Sequence, residues 1–238
     1  MNSPTSWTRQ GLMPWARLPS RWIEMRGLLG FRWKGEGADA LAALMTLLVI
    51  AHHADKETGV ARLTWDDVAL CTGVSRAKLA AGLSRLEAQQ LVQREPAGRS
   101  TFRLTNFGEG HVWAKVPAKP LYSESGLRAF HGFTLRNRAE LDAMKLYLLF
   151  AARRDVRQNI TMLSYPMIEE YCGVSHHHIK AALSLLIVQG LVVVDSRPSE
   201  LNEHGVANGY RLAFLQARQH AGTTARGYDE GAREEIVL

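Results

Sequence analysis

The stretch that decides the fold is "CTGVSRAKLAAGLSRLEAQQLV", residues 71–92. A similar stretch, "YCGVSHHHIKAALSLLIVQGLV", occupies residues 171–192, and the two align at an offset of 100 without a gap. The same offset aligns the helix-like segments that precede them. Further upstream, "WARLPSR" (15–21) matches "WAKVPAK" (113–119) at an offset of 98. Three matching blocks in the same order indicate an internal duplication.

Periodicity predicts the elements of the first unit. Leucines at three- and four-residue spacing between residues 38 and 54 predict a helix with one buried stripe. Thr64 and Asp67 have the spacing of a capping box, which predicts the start of a second helix. Gly73 should end that helix, because glycine enters the left-handed conformation without a steric penalty.

Ser75 is then the expected N-cap of a third helix. The apolar residues of that helix recur at the spacing of one buried face: Leu79, Leu83 and Leu86. An alternating segment around a Pro-Ala-Gly turn, "LVQREPAGRSTFRLTNF" (91–107), predicts a β-hairpin after it.

The second unit repeats these signals. Ser164, Gly173 and Ser175 stand at the positions of Thr64, Gly73 and Ser75. Its hairpin is predicted from "LVVVD" and "GYRLAFL", joined by a longer polar loop over residues 196–208.

This order of elements, with the paired motifs "GVSRAKLAAGLSRLEAQQLV" and "GVSHHHIKAALSLLIVQGLV", resembles the winged helix-turn-helix domains of bacterial regulators and of plasmid and phage replication initiators. The resemblance covers most of each unit, although Gln90 stands where the pattern usually has glycine. It implies an α+β fold, mainly α, with two tandem winged helix-turn-helix domains. The expected organisation is an N-terminal arm (1–14), domain 1 (15–110), domain 2 (111–215) and a flexible C-terminal tail (216–238).

In this resemblance the third helix of a unit enters the major groove of DNA. The small residues on its outward side would let the backbone approach the bases, and Arg or Lys would contact bases or phosphates. In the first unit the expected DNA-binding residues are Ser75, Arg76, Ala77, Lys78 and Arg85 on the helix, with Arg94, Arg99 and Arg103 on and beside the wing.

In the second unit the corresponding DNA-binding residues are Ser175, His176, His177, His178 and Lys180. A zinc site that combines Cys172 with these histidines is disfavoured, because consecutive histidines point to different sides of a helix. Leu185 and Ile187 replace Arg85 and Glu87, which predicts a dimer contact or an interdomain contact at this side of the helix.

Composition is compatible with this interpretation. The 238-residue chain has a formal net charge of +6, which suits an acidic partner such as nucleic acid. Its longest apolar run is too short to span a bilayer, and no secretory signal is apparent, so we expect no membrane partner. Cys71 and Cys172 without CxxC spacing suggest a reducing cytoplasm, and we expect association with the nucleoid or a plasmid.

No phosphate-binding loop, dinucleotide fingerprint, nucleophile elbow or zinc-protease motif occurs, so we expect neither an enzyme nor a bound cofactor, metal or small-molecule substrate. The sequence therefore predicts a sequence-specific protein that binds double-stranded DNA and regulates transcription in a bacterium or mobile element. Two alternatives stay open. One is an initiator of plasmid or phage replication, and the other is a winged-helix scaffold for protein interactions.

Overall fold

The computed structural model describes residues 11–95, 100–123, 126–127, 129, 132–199 and 202–216. Within these residues the fold is α+β, with seven α-helices and four small antiparallel sheets. The helices are α1 (Arg21–Glu24), α2 (Gly37–His53), α3 (Trp65–Thr72), α4 (Arg76–Ala88), α5 (Arg138–Ala152), α6 (Tyr165–Cys172) and α7 (His176–Val188). None of these helices combines the length and apolar character that crossing a membrane requires.

The strands are short, except for the last two. They are β1 (Trp15–Pro19), β2 (Val60–Arg62), β3 (Val92–Arg94), β4 (Thr101–Leu104), β5 (Trp113–Pro117), β6 (Tyr122–Ser123), β7 (Gly126–Leu127), β8 (Thr161–Met162), β9 (Val192–Ser199) and β10 (Asn202–Leu212). Two three-stranded sheets have the orders β2-β4-β3 and β8-β10-β9, and β1–β5 and β6–β7 form two-stranded ladders. The two halves therefore repeat the order helix, strand, helix, helix, hairpin.

The local signals of the first half act as predicted. The Thr64 hydroxyl accepts a hydrogen bond from the Asp67 amide, and the Asp67 carboxylate accepts one from the Thr64 amide. Gly73 has a φ of 68° and ends α3. Ser75 caps α4 through a hydrogen bond of 3.4 Å from the Lys78 amide to its hydroxyl. Gln90, at the usual glycine position, also adopts a positive φ, of 56°.

The second half departs from the predictions in two places. Ser175 lies at the N-cap of α7, but its hydroxyl makes no capping hydrogen bond. The polar loop predicted over residues 196–208 is mostly strand, because β9 continues to Ser199 and β10 begins at Asn202. A register irregularity between Asn202 and Val206 interrupts the pairing of these strands. The sequence pattern predicted a loop here because polar residues in a two-stranded ribbon do not alternate with apolar ones.

The prediction of a single buried stripe on α2 was wrong. Nearly every residue of α2 is buried, from Ala40 to His52, because α4 covers one side and α5 of the other half covers another. A helix that is apolar all round belongs in the interior. The pair α2–α5 is therefore the centre of the molecule.

The ladder between β1 and β5 joins the two "WARLP"-like segments to each other. Arg17 lies opposite Lys115 at its centre, and Trp15 pairs with Pro117 just as Trp113 pairs with Pro19. Adding 98 to a residue of β1 gives its counterpart in β5. When each residue is exchanged for its counterpart, the central pair maps onto itself and every other pair maps onto a second pair of the ladder. Such an isologous contact has a local two-fold axis, as in a symmetric dimer.

Side chains across this ladder follow the same symmetry. The rings of Trp15 and Trp113 stack with centroids 5.9 Å apart. Arg17 lies over the Trp113 ring at 4.8 Å, and Lys115 lies over the Trp15 ring at 4.2 Å. Both tryptophans therefore pack against side chains across the ladder.

Each half also sends a segment to the other. After β1, the chain passes over the second half, where Lys145 donates a hydrogen bond of 3.1 Å to the Phe31 carbonyl and Arg26 pairs with Glu170. After β5, the chain passes over the first half, where β7 packs against α3 and the Tyr122 hydroxyl lies 3.1 Å from His52 Nδ1. The halves are interleaved.

Two histidines at the end of α2 meet this second segment. The Tyr122 ring lies edge-on to both, with centroids 5.5 Å from His52 and 5.6 Å from His53. Burial lowers the pKa of His52 to about 3, with a further contribution from His53. Burial also lowers the pKa of His53 to about 4, and the charge of Asp67 partly offsets this effect.

Stability should therefore fall as the pH drops from 7 to 5. Since both folded-state pKa values lie below the value of about 6.5 for a free histidine, the unfolded chain binds protons that the folded chain does not. The stabilisation from the neutral histidines is complete above the free-histidine pKa of about 6.5. It decreases as the pH falls below this pKa, and at pH 5 each residue has lost about 2 kcal/mol. Urea unfolding at several pH values measures the slope.

The variant His52→Leu should reduce that slope by about one proton. His111→Gln, at an exposed position, serves as the control and should leave the slope unchanged. Equal slopes for the wild type and His52→Leu would contradict the prediction.

Candidate nucleic-acid interface

The outward side of α4, which we call the α4 face, consists of Ser75, Arg76, Ala77, Lys78 and Ala80. All five are exposed, while Leu79, Leu83 and Leu86 on the other side are fully buried. The helix lies close to α2, because Gly82 faces the backbone of Ala42 and Ala43. The periodicity of the sequence therefore predicted correctly which residues of α4 face outward and which are buried.

The cations of the α4 face are paired with carboxylates. The Arg76 guanidinium donates to Asp66 Oδ1 at 2.5 Å from Nη2 and 3.2 Å from Nε. Lys78 Nζ lies 2.7 Å from Asp39 Oδ1. Arg76 is nevertheless 71% exposed, and such solvent-exposed pairs contribute at most about 1 kcal/mol. A phosphate or base that binds either cation must first displace its carboxylate, at a cost of up to about 1 kcal/mol.

Arg85 is placed differently. Its side chain is only 18% exposed and pairs with Glu36. It also donates a hydrogen bond of 2.7 Å to the Gly30 carbonyl and lies over the Phe31 ring at 5.6 Å. These contacts direct the guanidinium toward the protein, so Arg85 anchors the N-terminal segment to α4.

The hairpin cations are also paired. Arg94 Nε donates to Glu87 at 2.7 Å, and Arg103 Nε donates to Glu95 at 2.5 Å. The carboxylate of Glu87 and the guanidinium of Arg94 hold each other in the charged form, which lowers the pKa of Glu87 and raises that of Arg94. Arg99 lies outside the described residues.

These partner carboxylates are the part of the surface that sequence reasoning missed. Asp66, Asp39 and Glu36 stand 10, 39 and 49 residues before the cations that they meet. Separations of this size have no local signature comparable with an i,i+4 pair. Only the packing of α4 on α2 and α3 brings them together.

The corresponding surface of the second half, which we call the α7 face, consists of Ser175, His176, His177, His178 and Lys180. His176 lies edge-on to Tyr165, with ring centroids 5.2 Å apart, and His177 lies edge-on to His176 at 5.7 Å. Lys180 is exposed, and His178 is half-buried. Among the residues that the structure describes, no carboxylate forms an ion pair with any of these side chains.

Leu185 and Ile187, the predicted dimer or interdomain residues, lie in different environments. Leu185 is half-buried and packs against the hydrophobic core. Ile187 is 48% exposed, and the adjacent Val188 is 80% exposed. The main contacts between the halves lie at β1–β5 and α2–α5 and where the segments after β1 and β5 cover the opposite half.

The cysteines lie away from both faces. Cys71 and Cys172 are buried and free, and burial raises the pKa of their thiols to about 12 and about 11. In the described part of the chain, no group of three or more His, Cys, Asp or Glu residues is arranged to hold a metal ion.

No known protein family matches its sequence, and no curated protein is similar to it.

Proposed function

We propose that this chain binds double-stranded DNA in a sequence-specific manner through two winged helix-turn-helix units and regulates transcription in a bacterium or mobile element. The observation that carries the proposal is the repeated arrangement of a short helix, a glycine turn and a second helix with a polar outward side. The α4 face is small and basic, and the α7 face carries three histidines and Lys180. In helix-turn-helix proteins the second helix of this arrangement lies in the major groove.

The local two-fold axis of the β1–β5 ladder supports a particular mode of binding. A symmetric dimer presents two recognition helices to two half-sites of one duplex. We expect the same axis to relate α4 and α7, so that a single chain presents both helices to one duplex. We expect one protomer to bind an imperfect inverted repeat whose two half-sites differ, because the two helices differ.

Arg76→Ala should relax sequence specificity. On the α4 face, Arg76 is the residue suited to bidentate pairing with guanine, so its loss should remove about 1–3 kcal/mol of discrimination at one base pair. The site is first selected from a random duplex library with the wild-type protein, and each position is then varied in gel-shift titrations. Ser84→Ala, at an exposed position on the same helix, is the control. Unchanged discrimination at every position would remove Arg76 from the readout.

A footprint on the DNA that flanks the gene separates regulation from replication initiation. One inverted repeat over a promoter would support a regulator. Repeated direct sites beside an AT-rich stretch would support a replication initiator, for which two structurally similar but chemically unequal units are also suitable.

A protein-interaction scaffold is the second alternative, and the paired cations of the first half favour it. Each described candidate cation of that half, from Arg76 to Arg103, already has a carboxylate partner. The salt dependence of affinity decides between these functions. DNA binding requires log affinity to fall with log salt concentration, by about 0.9 for each phosphate contact. A slope of zero would support the scaffold.

A further inference from the structure

The α4 face and the α7 face have different charge. Arg76 and Lys78 on the α4 face each meet a carboxylate, and so does Arg85, which points toward the protein, so these six groups carry no net charge. The pairs are Arg76–Asp66, Lys78–Asp39 and Arg85–Glu36.

The second half lacks all three of these carboxylates. At the offset of 100, Ala139 replaces Asp39, Pro166 replaces Asp66 and Arg136 replaces Glu36. Lys180 stands where the first half has Ala80. The surface around α7 thus has two cations and no carboxylate at these positions, besides three histidines.

The elements packed against α7 restore little of the missing negative charge. On α5, Asp142 is buried and pairs with Arg138 at 3.2 Å. On α6, Glu170 pairs with Arg26. On β9, Asp195 pairs with Arg211.

Glu140 on α5 is buried, and its carboxylate accepts hydrogen bonds from the Thr134 and Leu135 amides. Glu169 on α6 is exposed and contributes one negative charge, against the two cations Arg136 and Lys180.

The two faces should therefore contact DNA by different means. A phosphate that approaches α4 must compete with a carboxylate for each cation and is repelled by that carboxylate. A phosphate that approaches α7 meets no such competitor at the equivalent positions. Protein cations that contact phosphates displace condensed counterions, and this displacement makes affinity depend on salt. Discrimination between DNA sequences arises instead from contacts with base edges.

We propose that the α7 face supplies most of the phosphate contacts and thus the salt-dependent affinity, while the α4 face supplies most of the sequence discrimination. This inference rests on the DNA-binding function proposed above. It assigns Lys180 and Arg136 to phosphate contacts and makes Asp39 an element that restrains Lys78.

Reciprocal exchange at one position tests it. Positions 39 and 139 are equivalent in the two halves. Asp39→Ala removes the aspartate from the first half, and Ala139→Asp introduces it into the second. Both positions lie in the first turn of a helix, where aspartate is favoured, so Ala139→Asp should leave the fold intact. Thermal melting of each variant checks this.

The readout is the affinity for the selected duplex and for a random duplex at several salt concentrations. Ala139→Asp and Lys180→Gln should each weaken binding to both duplexes to a similar extent and reduce the salt slope by about 1. Asp39→Ala should strengthen binding to both and raise the slope by about 1, because it releases Lys78. Arg76→Ala should reduce the preference for the selected duplex with little change in slope.

Two results would count against the inference in distinguishable ways. If the wild type binds DNA but Lys180→Gln and Ala139→Asp leave the slope unchanged while Lys78→Gln lowers it, the assignment of the faces is overturned and DNA binding stands. If the wild type binds no duplex at any salt concentration, the proposed function fails and the inference fails with it.

Discussion

Neither half of the chain, produced alone as residues 1–110 or 111–238, is expected to fold. Separation at this point removes the β1–β5 ladder and exposes the faces of α2 and α5 that bury each other. Burial of apolar surface is the main favourable contribution to folding, and a domain of this size has a margin of only about 5–15 kcal/mol. Loss of the buried contact between α2 and α5 should cost more free energy than this margin.

The exchanged segments increase this effect. Residues after β1 cover α5 and α6, and residues after β5 cover α3, so each fragment carries a segment whose packing partner is on the other fragment. Circular dichroism and thermal unfolding of each fragment measure the outcome. Mixing the two fragments should restore a cooperative transition, which is the control. A cooperative transition in either fragment alone would show that the halves are independent domains.

Gly82→Leu is expected to lower the free energy of unfolding by at least about 3 kcal/mol. A Cβ at this position would lie 2.9 Å from the Ala43 amide nitrogen and 3.1 Å from the Ala42 carbonyl carbon. These atoms belong to the backbone of α2, which cannot rotate away as a side chain can. A larger side chain must therefore separate α4 from α2, the helix on which the α4 face depends for its position.

The second half offers a matched comparison, since Ala182 occupies the equivalent position and is fully buried. Ala182→Gly should cost only about 1 kcal/mol, mostly from helix propensity. Ala80→Leu, on the exposed side of α4, should have an effect within about 0.5 kcal/mol. Urea unfolding of the three variants gives the comparison. If Gly82→Leu is as stable as Ala80→Leu, the close approach of α4 and α2 is not a constraint.

Local signals in the sequence were sufficient to place most helices. The capping box of Thr64 and Asp67 and the left-handed turn at Gly73 depend on residues within a few positions of one another. Their physical chemistry is therefore visible in a short window. The same holds for the buried face of α4, because a period of 3.6 residues separates its leucines from its outward residues.

Features that depend on distant contacts were not predictable in this way. The similarity of "WARLPSR" and "WAKVPAK" was evident, but nothing in either segment indicates that the two pair as strands. The third strand of each sheet, β2 or β8, has only two or three residues, too few for an alternating pattern to emerge. The carboxylate partners of the α4 face were missed for the same reason, since they arrive from other helices.

The local two-fold axis of the β1–β5 ladder lies within one polypeptide, so substitutions in the two halves are independent. In a homodimer every substitution appears twice, so a change that suits one subunit alters its partner as well. Here each half can change alone: Glu87 and Arg94 form an ion pair in one, while Ile187 and Val194 stand at the same positions in the other. A single polypeptide with this geometry can thus match a target whose two sides are unlike, which no strictly symmetric pair of identical subunits can do without distortion.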